Sequence, residues 1–117
     1  MNTAANIVIG IIAVLHVGIL FLETFLWTQP FGLKTFGMTQ EVANSSAALA
    51  ANQGLYNGFL AAGLVWGLYS GDFTVKVFFL ICVLIAGIFG GITAKRSILY
   101  IQALPALLGL ILIYLAR

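Results

Sequence analysis

A histidine and a glutamate interrupt a stretch that otherwise reads as hydrocarbon, HVGILFLETFLW from His16 to Trp27. A base and an acid in an apolar setting are the raw material of proton transfer, either general acid–base catalysis or a proton relay. At about 100° per residue, spacings of seven and eleven put His16, Glu23 and Trp27 on one stripe of a helix. His16 and Glu23 are then roughly 10 Å apart along the axis, at about 1.5 Å per residue. They do not touch directly, so another helix, water or a ligand must join them.

Two further stretches offer partners. NQGLYNG places Asn52, Gln53, Tyr56 and Asn57 in the middle of a second helix, with Gln53 and Asn57 four apart on one face. QALP puts Gln102 three residues before Pro105. That proline cannot donate to the carbonyl of Ile101, which is left free beside Gln102. Antiparallel helices bring Glu23, Asn52, Gln53 and Gln102 to one half of the membrane. The economical arrangement gathers them inside, because a charge at the bilayer centre costs about 2.5–3.5 kcal/mol even on the lenient insertion scale. The expectation is one cavity lined by His16, Glu23, Asn52, Gln53, Asn57 and Gln102. His16 and Glu23 would do the chemistry, while Trp27 and Tyr56 join the amides in holding the ligand. Each residue also has a plainer use: amides bridge helices, and Trp27 anchors at the interface.

Familiar alternatives are missing. No glycine loop precedes a lysine to cradle phosphate, and no paired histidines offer a zinc site. No cofactor or metal is expected. A net charge of +2 is too small to suggest nucleic acid.

These residues must be positioned by membrane helices. The 117 residues are 62% hydrophobic and 7% charged, against about 25% charged in soluble domains. The mean hydropathy is +1.14. A span needs about 20 apolar residues, and four segments qualify: 3–27, 39–69, 73–94 and 98–115. Asn2 or Thr3 caps the first. The expected architecture is therefore all-α: one integral membrane four-helix domain over 1–117, with antiparallel neighbours and short loops. Pro30, Gly32 and Gly37 break any helix in the loop 28–38, whose Phe31, Leu33 and Phe36 suit the membrane surface. Ser70–Asp72 and Lys95–Ser97 make tight turns. The first apolar run lacks a positively charged start, and no small-x-small cleavage site follows it, so the first helix is expected to be retained.

Orientation is nearly tied, with Lys34, Lys95 and Arg96 on one side against Lys76 and Arg117 on the other. The pairs Gly54/Gly58, Gly63/Gly67 and Gly87/Gly91 are each spaced four apart and let backbones approach, within the chain or across a homodimer seam. Cys82 is the only cysteine and reads as a packing residue.

The combination of His16, Glu23 and Trp27 with NQGLYNGFLAAGL and QALPALLGL resembles the bacterial DUF1304 family of small membrane proteins, along essentially the whole chain. The resemblance implies a four-helix protein of the cytoplasmic membrane, crossing it several times, in which His16, Glu23, Trp27, Asn52, Gln53, Asn57 and Gln102 matter. It supplies no mechanism. Three functions follow from the residues. The first is a polar site for a small or lipid-like ligand, extending to an intramembrane enzyme that uses acid–base chemistry. The second is a small proton-coupled carrier or exporter working as a dimer. The third is an accessory subunit whose polar residues only pack helices.

Overall fold

The computed structural model describes residues 3–117, which are helical throughout apart from short connections. Helix α1 spans Thr3–Thr24, α2 Pro30–Phe36, α3 Gln40–Ser70, α4 Phe73–Thr93 and α5 Leu104–Leu115. A π-helical turn over Leu99–Ala103 leads directly into α5. No strand occurs among the described residues. Thr3 is the first of the described residues and is already helical, and the alternative cap, Asn2, lies outside them.

Local chemistry explains the boundaries. Pro30 disfavours helical backbone at the preceding residue, and Gln29 is extended (φ −88°, ψ 161°). The first helix ends at Thr24, short of the expected Trp27, with the Leu26 amide reaching five residues back to Phe21. Where a loop was expected at 28–38, the chain forms α2. The same prolines and glycines bracket this helix instead of breaking it. Pro30 sits in the first turn, where its missing N–H costs nothing, and Gly37 closes the helix in the left-handed region at φ 63°. Gly32 stays inside α2 because a Cβ there would run into the Leu26 and Trp27 carbonyls. At the next turn Gly71 adopts φ 68° and Asp72 caps α4, accepting from the Val75 amide at 3.1 Å. Before Pro105 the Leu104 amide bonds the Leu99 carbonyl, five residues back. The missing proline donor is thus absorbed as a π turn.

The chain divides into two compact units, Met1–Val14 with Leu60–Arg117, and Leu15–Phe59. In the first, Ala5, Ile9, Ile12, Leu64, Leu80, Val83, Ala106 and Ile113 form a buried core. Gly63 and Gly67 of α3 receive α4 at Phe79 and Lys76, and Gly87 and Gly91 of α4 receive the π turn at Ala103 and Leu99. In the second unit, Gly54 and Gly58 of α3 receive α1 at Leu20, Glu23 and Thr24. All three expected glycine pairs are filled by helices of the same chain.

Among the described residues, two helices are long and apolar enough to cross a membrane: Thr3–Thr24, 22 residues, and Phe73–Thr93, 21 residues, each with mean hydropathy 2.5. Leu99–Leu115 is a shorter apolar helix. The 31-residue α3 has the length, but Asn44, Ser45, Ser46, Asn52, Gln53 and Asn57 dilute its apolar character.

Candidate functional site

Within the unit Leu15–Phe59, α1 and α3 bring one predicted pair together. Asn57 Nδ2 donates to Glu23 Oε1 at 2.7 Å, and its other bond goes to the Gln53 carbonyl at 3.1 Å. Sequence dictates this meeting. Ala43, Ala50 and Gly54 are small, buried and spaced seven and four apart, so they define the face of α3 that backbones can approach. Asn57 lies about 40° from the centre of that face, at about 100° per residue. A Cβ at Gly54 would stand 2.5 Å from Thr24 Oγ1 and 3.2 Å from Glu23 Cβ. The absent side chain is what lets the Glu23 backbone come near enough for its carboxyl to reach Asn57. Both side chains are half-buried.

A carboxyl group offers two oxygens and about four lone-pair positions. Asn57 fills one of them. The remainder, half-exposed, can accept from a further N–H or O–H donor.

The other predicted residues are distributed differently. His16 is buried at 1% exposure, with Nε2 enclosed. Because α1 is unbroken from Thr3 to Thr24, the axial separation of His16 from Glu23 stays at roughly 10 Å. Trp27 lies beyond the end of α1, so the helical stripe does not extend to it. Its indole Nε1 donates to Ser46 Oγ at 3.0 Å, and its ring meets Phe36 with centroids 4.9 Å apart. Trp27 therefore ties the chain after α1 to both α2 and α3. Ser46, which carries no catalytic signature in the sequence, is the acceptor, and it donates in turn to the Val42 carbonyl at 2.7 Å.

Gln53 is exposed, about 80° from the small-residue face, and Asn52 is exposed nearly opposite it. Tyr56 is 52% exposed and leans on Phe59, centroids 6.1 Å apart. Gln102 sits half-buried in the π turn, within the unit Leu60–Arg117. Of the amides expected around Glu23, Asn57 is the one seen bonded to it.

Sequence reasoning missed a second buried polar pair. Lys76, 3% exposed, donates from Nζ to Asn6 Oδ1 at 2.9 Å. The signal was available. Asn6 and Lys76 each lie in the opening turns of a long apolar helix, α1 and α4. No group of three or more His, Cys, Asp or Glu residues able to hold a metal occurs among the described residues.

The structure thus defines an all-helical protein with two apolar helices of spanning length and a carboxyl–amide pair where α1 meets α3. The chain belongs to the DUF1304 family, proteins of unknown function, whose model matches residues 10–114. It is similar to an uncharacterized protein, YpaA, of Lactococcus lactis subsp. lactis (strain IL1403), 30% identical over 97 residues that cover 80% of this chain and 82% of the relative. No solved structure matches it.

Proposed function

We propose that this chain is a four-helix protein of the bacterial cytoplasmic membrane, with a polar site at Glu23 that binds a small or lipid-like molecule through an N–H or O–H group. The membrane reading draws on the two spanning-length helices and on what the remaining surface presents. Ile7, Ile11, Val14, Phe21 and Phe25 on or just after α1, and Ile85, Phe89 and Ile92 on α4, all lie exposed. Soluble monomers rarely leave so many large apolar side chains open along their longest apolar helices. In this reading α3 and Leu99–Leu115 complete the bundle. The 17 residues from Leu99 to Leu115 reach about 26 Å, at the lower limit of a span.

One observation carries the site, the 2.7 Å hydrogen bond from Asn57 to Glu23 Oε1. It holds the carboxyl of a membrane helix in a fixed direction while leaving acceptor positions over. Intramembrane ionisable residues of this kind mark functional sites by default. Glu23 would accept from the ligand and exchange a proton with it. The three glycine pairs, filled within the chain, lend no support to a dimeric carrier.

Native mass spectrometry of the detergent-purified protein, wild type beside Glu23→Gln, tests the site. The expected result is a co-purifying molecule on the wild type that is lost from the variant at equal thermal stability. Bare masses for both proteins, or a ligand retained by Glu23→Gln, would overturn the assignment.

A further inference from the structure

We propose that the groove between α4 and the π turn with α5, together with Lys95 and Arg96 at its mouth, binds one anionic phospholipid, with the phosphate on the two cations and an acyl chain in the groove. This rests on the membrane placement above and is independent of the Glu23 site.

The groove is an apolar volume of about 270 Å³ within the unit Leu60–Arg117. Leu84 and Ile88 form one wall, and Leu99, Ala103, Leu104 and Leu107 the other. It exists because of how the two helices meet. Gly87 and Gly91 draw the π turn tightly onto one side of α4, at Ala103 and Leu99. Ile88, Leu104 and Leu107 stand beside that seam, 43%, 56% and 43% exposed, and leave a trough between them.

Its occupant is indicated by what lies at the end. The connecting turn is closed by short backbone bonds, Ile98 to the Lys95 carbonyl and Leu99 to the Arg96 carbonyl, both at 3.0 Å. Leu99 lines the groove, so Arg96 and Lys95 are held within one turn of its mouth, both exposed. From Phe73 to Arg117 the sequence has no aspartate or glutamate, so this half of the chain supplies no carboxylate to answer those cations. Tyr100 flanks the mouth at 65% exposure, the position favoured by aromatic residues at a membrane interface. From Leu99 to Leu107 the groove runs about 12 Å along the helix, at about 1.5 Å per residue. Cations at headgroup level above an apolar trough running toward the midplane reproduce the layout of a phospholipid. Basic pockets beside membrane helices select anionic headgroups in this way. A second protein copy would need an anionic surface to match the turn, and this chain's acidic residues are only Glu23, Glu41 and Asp72.

The test is native mass spectrometry of the full-length protein with an equimolar mixture of phosphatidylglycerol and phosphatidylcholine of identical acyl chains. The wild type is expected to keep one phosphatidylglycerol, preferred roughly thirtyfold, the effect of two interfacial basic residues. Lys95→Gln with Arg96→Gln should bring the preference to about unity, while Lys34→Gln leaves it intact. Leu104→Trp, which fills the trough from its exposed rim, should lose both lipids. Equal binding of the two lipids by wild type overturns the proposal, as does a preference that survives the double substitution. So does a dimer peak abolished by Leu104→Trp, which would make the groove a protein seam. If that variant fails to fold, the charge substitutions decide alone. Alkaline extraction of the membranes separates the two claims. Release into the supernatant refutes the membrane placement itself, whereas retention without lipid preference refutes only the phospholipid site.

Discussion

Adding one methyl group at Gly54 should damage the Glu23 site more than any other change of its size in that region. Two of the atoms that an alanine Cβ would meet are fixed: Glu23 Cβ and the Leu20 carbonyl oxygen, both at 3.2 Å. The third, Thr24 Oγ1 at 2.5 Å, can rotate away. Helix α1 must therefore retreat from α3. Overpacking of this kind costs about 1–3 kcal/mol. The retreat also stretches the Asn57–Glu23 hydrogen bond, which adds about 1.5–3 kcal/mol if the carboxyl is charged and about 0.5–1.5 kcal/mol if it is neutral. Gly18 is the internal control. It lies on the same helix as Glu23, and a Cβ there meets nothing within 4 Å. Gly18→Ala should be neutral, or stabilising by about 0.5–1 kcal/mol through lower backbone entropy in the unfolded chain. The two alanines should differ by at least about 1.5 kcal/mol, the low ends of the overpacking and hydrogen-bond costs set against a neutral control. Reversible unfolding in mixed micelles, followed by circular dichroism, resolves a gap of that size. A Gly54→Ala protein as stable as Gly18→Ala would show that α1 and α3 do not meet at Gly54, and the positioning of Glu23 by that contact would fall with it.

Gly87→Ala should be at least as harmful, because its Cβ would lie 2.6 Å from the Ala103 amide nitrogen, which has no rotamer to change; the same unfolding assay reads it. Removing the Trp27–Ser46 bond should cost about 0.5–1.5 kcal/mol. A double-mutant cycle of Trp27→Phe with Ser46→Ala should return a coupling of that size, and a coupling near zero would disprove the tether. For the buried pair, Asn6→Leu should destabilise more than Lys76→Met, since the first strands an ammonium and the second only an amide. The double variant should recover most of the loss, and additive losses would contradict the pairing. Pro105→Ala restores a donor to the helix, so hydrogen exchange should show new protection at that amide, with the π turn relaxing toward regular helix.

Much of the architecture was legible because apolar runs and punctuation carry it. The turn at Ser70–Asp72 and the start of α4 at Phe73 follow from Gly71 and Asp72 alone. Helix α2 departs from the expected loop for a reason that lies in the same residues. Pro30 and Gly37 read as breakers, yet proline at the start and glycine just past the end are also how a short helix is framed. The α1 stripe reads on to Trp27 because apolar residues continue to it, while the helix itself stops at Thr24. Matching depth on antiparallel helices singles out Asn52, Gln53 and Gln102 as neighbours of Glu23, whereas the amide bonded to it is Asn57. Depth sets only one coordinate. Asn57 lies about 7.5 Å further along α3 than Asn52, and the small residues Ala43, Ala50 and Gly54 turn Asn52 away from α1 and Asn57 toward it. Asn6 went unnoticed because a lone amide near a helix start gives no signal until its partner, Lys76, is known.

The π turn at Leu99–Ala103 has a consequence for how this segment can change. A π turn stores one residue more than an α-helical turn needs, so it behaves as a spliced-in residue whose angular offset has been swallowed locally. Residues before Leu99 and after Ala103 are phased as though the chain between them were one residue shorter. A wheel drawn straight through 98–115 therefore misplaces one side by about 100°. Removing a single residue inside the turn would leave the faces of both flanks where they are. The same deletion anywhere in α4 would rotate everything beyond it off its partners. A one-residue deletion in this region has one natural address, the π turn itself.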